Sequence, residues 1–277
     1  MSVLMDNVIP FIKMHGLGND FVIVDSRDGG PNISADLARS LGDRNYGIGF
    51  DQLTIINNSS EADVALKFYN SDGSTAGTCG NATRCVARYE MDRLNLDELS
   101  LKTERGILKA YRQGELVSVN MGHPLLEWSD IPLSQPADTL NLPLDGSPTA
   151  TGMGNPHCTF FVPDAEAVHL ETFGPTIENN SLFPDGTNVQ IAHIVAKNHL
   201  RMRVWERGVG LTLASGSSSC ATAVAAVRLG LTGRSVKIEL DGGPIHIVWR
   251  DDGVWMTGAT RHVFNGVLTQ QFLDNLR

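Results

Sequence analysis

The sequence predicts an α/β (α+β) protein of two like domains, each a β-rich sheet curled around a central helix. Three observations carry that expectation. The chain has 277 residues, about two domains at ~150 residues each. Its motifs recur at one offset. Gly18-Asn19 and Gly154-Asn155, Gln52 and Asn188, Asn70 and Glu206, Cys79-Gly80 and Ser215-Gly216, Gly106 and Gly242, and Gly122 and Gly258 each lie 136 positions apart. Six coincidences in order, with no slip of register, signal a duplication. Lastly, the segment SSSCATAVAAVRLG is small and apolar nearly all round, and a helix of that kind is enclosed by protein.

The elements follow in the same order in each copy. In the first, β-rich FVIVD precedes a helix over ADLARSLGDR with Ser34 as its N-cap. QLTII and DVALKFY follow as strands. A glycine-rich turn then opens a long helix with Ala82, Cys85, Val86 and Tyr89 on one apolar face. LSLKT, ILKAY and LVSVNMG close the unit. In the second copy TFFV leads to a helix from Asp164 over AEAVHLETF, then NVQIA and LRMRVW, a second glycine-rich turn, the enclosed helix, and VKIEL, IHIVW and VWMTG. Between the copies, His123 to Thr149 holds most of the Pro, Ser and Asp punctuation and reads as linker and crossover. The domains are thus 1–123 and 124–277, and the tail after Gly258, which has no counterpart in the first copy, is expected to pack back on the N-terminal half.

Composition narrows the function classes. Hydrophobic residues at 42% and charged residues at 19% describe a chain with a sizeable core, not a disordered one. The net charge of −9 argues against nucleic acid or an anionic membrane surface as partner. No apolar run approaches the ~18–20 residues that span a bilayer, and MSVLMDNVIPF lacks the basic and apolar regions of a secretion signal. Cys79, Cys85, Cys158 and Cys220 form no CxxC pair or zinc-spaced cluster, so no metal is expected and the thiols stay reduced. The compartment reads as cytoplasm.

The two turns carry the chemistry. They have the form N-x-D-G-S-x4-C-G-N-x-x-R from Asn70 to Arg84 and E-R-G-x-G-x-T-x-A-S-G-S from Glu206 to Ser217. Each puts a reactive side chain, Cys79 or Ser215, directly before Gly at the start of a helix. Exposed N–H groups and the positive end of the dipole make an anion site there. The same field lowers thiol pKa values, toward ~3.5–7.5 at helix N-termini generally.

On these motifs, with KMHGLGNDF near the start, GNPH at Gly154 to His157 and WMTGAT near the end, the chain resembles the diaminopimelate epimerases. These are cofactor-independent isomerases of lysine and peptidoglycan-precursor synthesis. The resemblance implies a pseudo-symmetric pair of domains, each a β-barrel-like sheet wrapped around a central helix, with the active site in the cleft between them, and a homodimer. It implies a small amino-acid substrate and a two-base mechanism, in which Cys79 is one acid/base and position 215 the other. It also places Gly80-Asn81 and Gly216-Ser217 as donors to the α-carboxylate. Glu206 and the Arg207 carbonyl then face the α-ammonium, and the Arg207 guanidinium, Asn70, Asn155 and Asn188 the distal carboxylate and amine. Asn19 and Gln52 complete the polar shell, and His157 and Glu206 resemble the residues that tune the two thiols.

The sequence departs from the family where it matters most. The family run A-C-G-[ST]-G-x-C-A reads here as Ala214-Ser215-Gly216-Ser217-Ser218-Ser219-Cys220-Ala221. An alcohol is a far weaker acid than a thiol at ~8.5, so Ser215 is expected to be a poor proton store. Three explanations stand: an exchange of one residue, natural divergence, or Cys220 acting as the base. Ser218 and Ser219 also deviate, which favours divergence, and Cys220 lies more than a turn into the helix. Plainer roles compete elsewhere: Cys85, Cys158 and Cys220 as core residues, His157 as a structural histidine, His15 as a turn residue, Asp72 and Ser74 as an Asx-type turn, and Trp205 and Trp255 as core. Against epimerisation of LL- to meso-diaminopimelate stand two alternatives: racemisation of another amino acid on the same fold, and a carboxylate-binding relative with impaired turnover.

Overall fold

A computed structural model describes residues 8–275; most of the N-terminal segment read above for a secretion signal lies outside the described residues. The chain divides into two compact units, Met1–Val117 with Thr260–Arg277, and Ser118–Ala259. The first carries β1 (Ile9–Gly16), β2 (Asn19–Asp25), α1 (Ala35–Gly42), β3 (Gln52–Asn57), β4 (Val64–Asn70), β5 (Thr75–Ala76), α2 (Gly80–Leu94), β6 (Glu98–Thr103) and β7 (Gly106–Gln113). β8 (Leu116–Asn120) runs across the division. The second carries β9 (Thr149–Gly152), β10 (Pro156–Phe161), α3 (Leu170–Glu178), β11 (Asn188–Ala196), β12 (His199–Glu206), β13 (Gly210–Thr212), α4 (Gly216–Arg228), β14 (Ser235–Leu240), β15 (Gly243–Arg250) and β16 (Gly253–Ala259). β17 (Arg261–Leu268) and α5 (Gln270–Asp274) end the chain, and β17 pairs antiparallel with β1.

Strand pairing repeats between the units. β2–β3 and β10–β11 are parallel, β3–β4 and β11–β12 antiparallel, β4–β6 and β12–β14 parallel again, and β6–β7 and β14–β15 antiparallel. A parallel pair needs a long crossover, and α1, α2, α3 and α4 supply the four. Register gives the offset at atomic level: Phe21 lies opposite Gln52, and His157 opposite Asn188, each 136 further on. Beyond the central helices the constant offset fails. Thr103 faces Gly106 and Leu240 faces Gly243, so Gly106 corresponds to Gly243 rather than Gly242, an offset of 137. The physical reason is local: α2 has 15 residues and α4 has 13, and the connection after α4 is longer by more than that difference.

Helix ends explain further departures. Ser34 caps α1 by accepting the Leu37 N–H. The second early helix starts at Leu170, not after Asp164, because Asp164 instead accepts the Glu166 N–H in a turn. On α2 the expected single apolar face is exceeded: Gly80 through Ala87 are all buried, Asn81, Thr83 and Arg84 among them. α2 packs on β1, β2, β6 and β7, and α4 on β9, β10, β11, β14, β15 and β16. The linker is no loose tether, since Ile131, Leu133 and Leu142 join the core formed by Cys158, Phe160, Leu170, Ile177, Val189 and Ile191. Cys85 and Cys220 are core residues too. Among the described residues no helix is long and apolar enough to cross a membrane.

Candidate active site

In the first unit the site is built on the start of α2. Cys79 keeps extended backbone angles, φ −145° and ψ 110°, and its sulfur accepts the Ala82 N–H at 3.4 Å. A donor aimed at sulfur favours the thiolate. Thr83 Oγ1 donates to the Cys79 carbonyl at 2.8 Å. Asn81, the second residue of α2 and 2% exposed, donates to Asn19 Oδ1 at 3.1 Å. Asn19 in turn donates to Asp51 Oδ2 at 2.7 Å. Asp51 is held by Arg44, which also grips Asp20 beside Lys13. Burial pushes the Asp20 carboxyl up, but the Arg44 and Lys13 bonds more than reverse it and leave it below the usual value. Gln52 and Asn70 lie opposite each other on β3 and β4, joined through Gln52 Nε2 and Asn70 Oδ1 at 2.9 Å. The turn between Asn70 and Cys79 is an Asx-type motif: Asp72 accepts from the Ser74 N–H and hydroxyl. Gly73 is required there, at φ +84° with the Ala35 carbonyl 2.4 Å from where a Cβ would stand.

In the second unit the equivalent turn precedes α4. Asn188, at the start of β11, donates to the Pro156 carbonyl at 3.0 Å and accepts the Arg207 N–H at 3.1 Å, tying two motifs together. The Arg207 guanidinium donates to the Asp185 carbonyl at 3.0 Å. Glu206 receives two hydroxyls, Thr212 on Oε1 at 2.7 Å and Ser215 on Oε2 at 2.8 Å. Ser215 is the N-cap residue of α4, with φ −136° and ψ 121°, and Ser219 Oγ donates to its carbonyl at 2.7 Å. That last bond is the counterpart of Thr83 to Cys79, 136 positions on. His157 is fully buried, and Asn155 Oδ1 stands 2.9 Å from its Nε2 while Gln190 Nε2 approaches its Nδ1 at 3.0 Å. An acceptor on one nitrogen and a donor on the other assign the Nε2–H tautomer. Gln190 also donates to Ser218 Oγ at 3.0 Å and accepts from Thr159 at 3.1 Å.

Of the residues named from sequence, direct bonds join Asn19 to Asn81, Gln52 to Asn70, Asn155 to His157, Asn188 to Arg207 and Glu206 to Ser215. Gly80, Gly216 and Ser217 open the two central helices. Sequence reasoning missed Asp51, Gln190, Ser218, Thr212 and Glu178; the last binds the Trp205 indole and the Gly208 N–H, bracing the E-R-G turn. Thr212 was within reach, inside the quoted motif and on the same strand face as Gly210. Among the described residues no cluster of His, Cys, Asp and Glu could hold a metal ion.

A family model described as diaminopimelate epimerase matches residues 11–126 and 149–263. Three relatives carry that same name. The protein of Rhodospirillum centenum is 47% identical over 95% of this chain and 93% of its own. That of Gluconobacter oxydans is 47% identical over 93% and 98%, and that of Acidiphilium cryptum 46% over 95% and 98%. Among solved structures, a hydroxyproline epimerase from Agrobacterium vitis superposes with a TM-score of 0.68 at 13% identity, covering 97% of this chain and 94% of that one. A phenazine biosynthesis protein of the PhzF family from Bacillus anthracis gives 0.67 at 14%, covering 94% and 99%. At such identities the likeness shows the fold alone.

Proposed function

Because the chain belongs to the diaminopimelate epimerase family, we propose that Cys79 and Ser215 are the two acid/base groups of its reaction. The protein is an isomerase of lysine biosynthesis that epimerises diaminopimelate. One observation carries the assignment of residues. Cys79 and Ser215 are equivalent positions of a duplicated unit, each the N-cap of its central helix and each followed by Gly. Inversion needs one group to take the α-proton from one face and another to deliver a proton to the opposite face. A duplicated fold offers two such groups without new invention.

The remaining roles follow from charge. The first-turn N–H groups at Gly80-Asn81 and Gly216-Ser217 receive the α-carboxylate, since helix N-termini favour anions. Stabilising that carboxylate as negative charge develops at Cα lowers the barrier in place of a cofactor. Glu206 and the Arg207 carbonyl receive the α-ammonium. The Arg207 guanidinium, with Asn70, Asn155 and Asn188, reads the distal carboxylate and amine, and Asn19 and Gln52 line the shell. A homodimer in the cytoplasm is the form in which we expect the enzyme to work. The shared name of the relatives quoted above gives racemisation of another amino acid no support.

The test is incubation with LL-diaminopimelate in D2O. Deuterium entry at one α-carbon with meso product is expected. Exchange only with a different amino acid would redirect the substrate, and tight binding without any exchange would make this a carboxylate-binding relative.

A further inference from the structure

Two runs of hydrogen bonds in the first unit begin on a carboxylate and end on a bare amide oxygen. In one, Asp51 Oδ2 receives Asn19 Nδ2 at 2.7 Å, and Asn19 Oδ1 receives Asn81 Nδ2 at 3.1 Å. An ionised carboxylate can only accept, so Asn19 must turn its NH2 to Asp51 and its oxygen to Asn81. Asn81 must then spend its NH2 on Asn19. Its own Oδ1 is left, in a residue 2% exposed, with no hydrogen-bond partner among the described residues. In the other run, Asp72 Oδ1 receives the Ser74 hydroxyl at 2.6 Å, Ser74 Oγ receives Asn70 Nδ2 at 3.0 Å, and Asn70 Oδ1 receives Gln52 Nε2 at 2.9 Å. Gln52 Oε1 is left over, again a buried atom without a partner. Native structures pair nearly all such atoms, so two orphans at the ends of ordered runs call for a ligand. Duplication alone does not produce this pattern. The residues 136 positions beyond Asp51 and Asp72 are Thr187 and Gly208, and neither is a carboxylate.

We infer that Asn81 Oδ1 and Gln52 Oε1 are acceptors for ammonium groups of the substrate, and that Asp51 and Asp72 are the positioning residues that fix this polarity. The inference rests on the reading of Asn19, Gln52, Asn70 and Asn81 as substrate-binding residues, and it specifies what they recognise. A ligand that meets a bare carbonyl oxygen must bring a hydrogen-bond donor, and a carboxylate brought to the same oxygen is repelled. Of the charged groups on a diamino diacid, only the two ammoniums qualify. Each gains a charge-assisted bond, roughly twice as strong as a neutral one. An amide without such an anchor could turn over and offer its NH2 instead, because its two ends are nearly alike in shape. The carboxylates remove that choice before substrate arrives, and the amides enter binding already oriented.

The test varies the two acceptors and their anchors, reading kcat and KM for diaminopimelate in each variant, with α-proton exchange as the report of a folded site. Gln52→Met removes the oxygen and should raise KM ~10–100-fold, the range for a hydrogen bond to a charged group. Gln52→Glu keeps an oxygen there and makes it anionic, so it should raise KM far less than Gln52→Met does. Asn81→Leu and Asn81→Asp should rank in the same order. Asp51→Leu releases the Asn19 and Asn81 amides and should raise KM several-fold with kcat changed much less. Asp51→Asn can still turn a carbonyl oxygen to Asn19 and should bring KM back. Asp72→Ala and Asp72→Asn should divide in the same way. A carboxylate that raises KM more than the apolar replacement, at either acceptor, would show an amide donating to a substrate carboxylate. That result would overturn the inference and leave the residues in the binding site. A native KM in Asp51→Leu would overturn the positioning role. KM unmoved by both Gln52→Met and Asn81→Leu would instead overturn the reading of these side chains as substrate-binding.

Discussion

Cys79 differs from the other three thiols in access. It is partly exposed, whereas Cys85, Cys158 and Cys220 are buried. Burial pushes the Cys85 thiol up to about 12 and the Cys158 thiol up as well. A cysteine reacts as its thiolate and only where reagent can reach it. Brief alkylation of the folded protein near neutral pH should therefore modify one cysteine per chain, found at Cys79 by peptide mass, and Cys79→Ala should take up none. A second cysteine modified at a similar rate would show that the buried thiols are not protected. Cys79 was legible in the sequence because a short motif encloses it. Gln190 was not, although it bonds His157 as closely as Asn155 does. Its partner is set by the parallel pairing that lays Thr159 beside Gln190, a contact between residues 31 positions apart that no local pattern announces. Asp51 is hidden for the same reason, reaching Asn19 across the chain.

Elements were legible where periodicity was strong and lost where capping or neighbours decided. The enclosed character of α4 followed from its composition alone. The eight-residue β1 escaped because its alternation is weak, the four-residue β9 because it is short, and β17 because it has no counterpart in the repeat. The slip from 136 to 137 could not be seen by matching glycines, since Gly242 and Gly243 are adjacent and either completes the series. Packing between α3 and β12 gives a prediction that propensity alone would get backwards. Replacing a helical glycine by alanine ordinarily gains ~0.5–1 kcal/mol. At Gly174 an added Cβ would lie 2.4 Å from Trp205 Cγ, and that indole is already pinned by its bond to Glu178 at 2.6 Å. Overpacking costs about 1–3 kcal/mol, so Gly174→Ala should lower stability by about that much in urea unfolding. Because Trp205 precedes Glu206 on β12, kcat should fall as well. Unchanged or raised stability would mean that α3 moves away from the strand freely.

At the scale of the molecule, duplication made the architecture readable, but the copies have diverged in charge. In the unit of Met1–Val117 with Thr260–Arg277, six carboxyls sit below their usual range: Asp20, Asp25, Asp43, Asp63, Asp72 and Asp92. Asp25 is held down chiefly by its bonds to Arg27, which also grips the buried Glu90. For Asp92, burial pushes upward and the Arg88 and Arg112 bonds overcome it. In the other unit Asp138 and Glu239 are lowered, both of them exposed to solvent. A carboxyl whose folded value lies below its unfolded value contributes stability above the unfolded pKa, ~3.9 for Asp. That contribution is lost as pH falls through the lower folded value. The exposed members, Asp43 and Asp72, add little because solvent screens them; Asp20, Asp25 and Asp92 carry the difference through their arginine and lysine partners. Acidification from neutrality to below ~4 should thus loosen the first unit more than the second. Hydrogen exchange, corrected for intrinsic rates and read peptide by peptide, should show protection falling most over β1, β2 and α2. Asp25→Asn should shrink that acid-dependent fall while lowering protection at neutral pH, since it removes the titrating group together with its arginine bond. Equal loss in both units, or a larger loss around α4, would mean that these ion pairs do not govern acid stability.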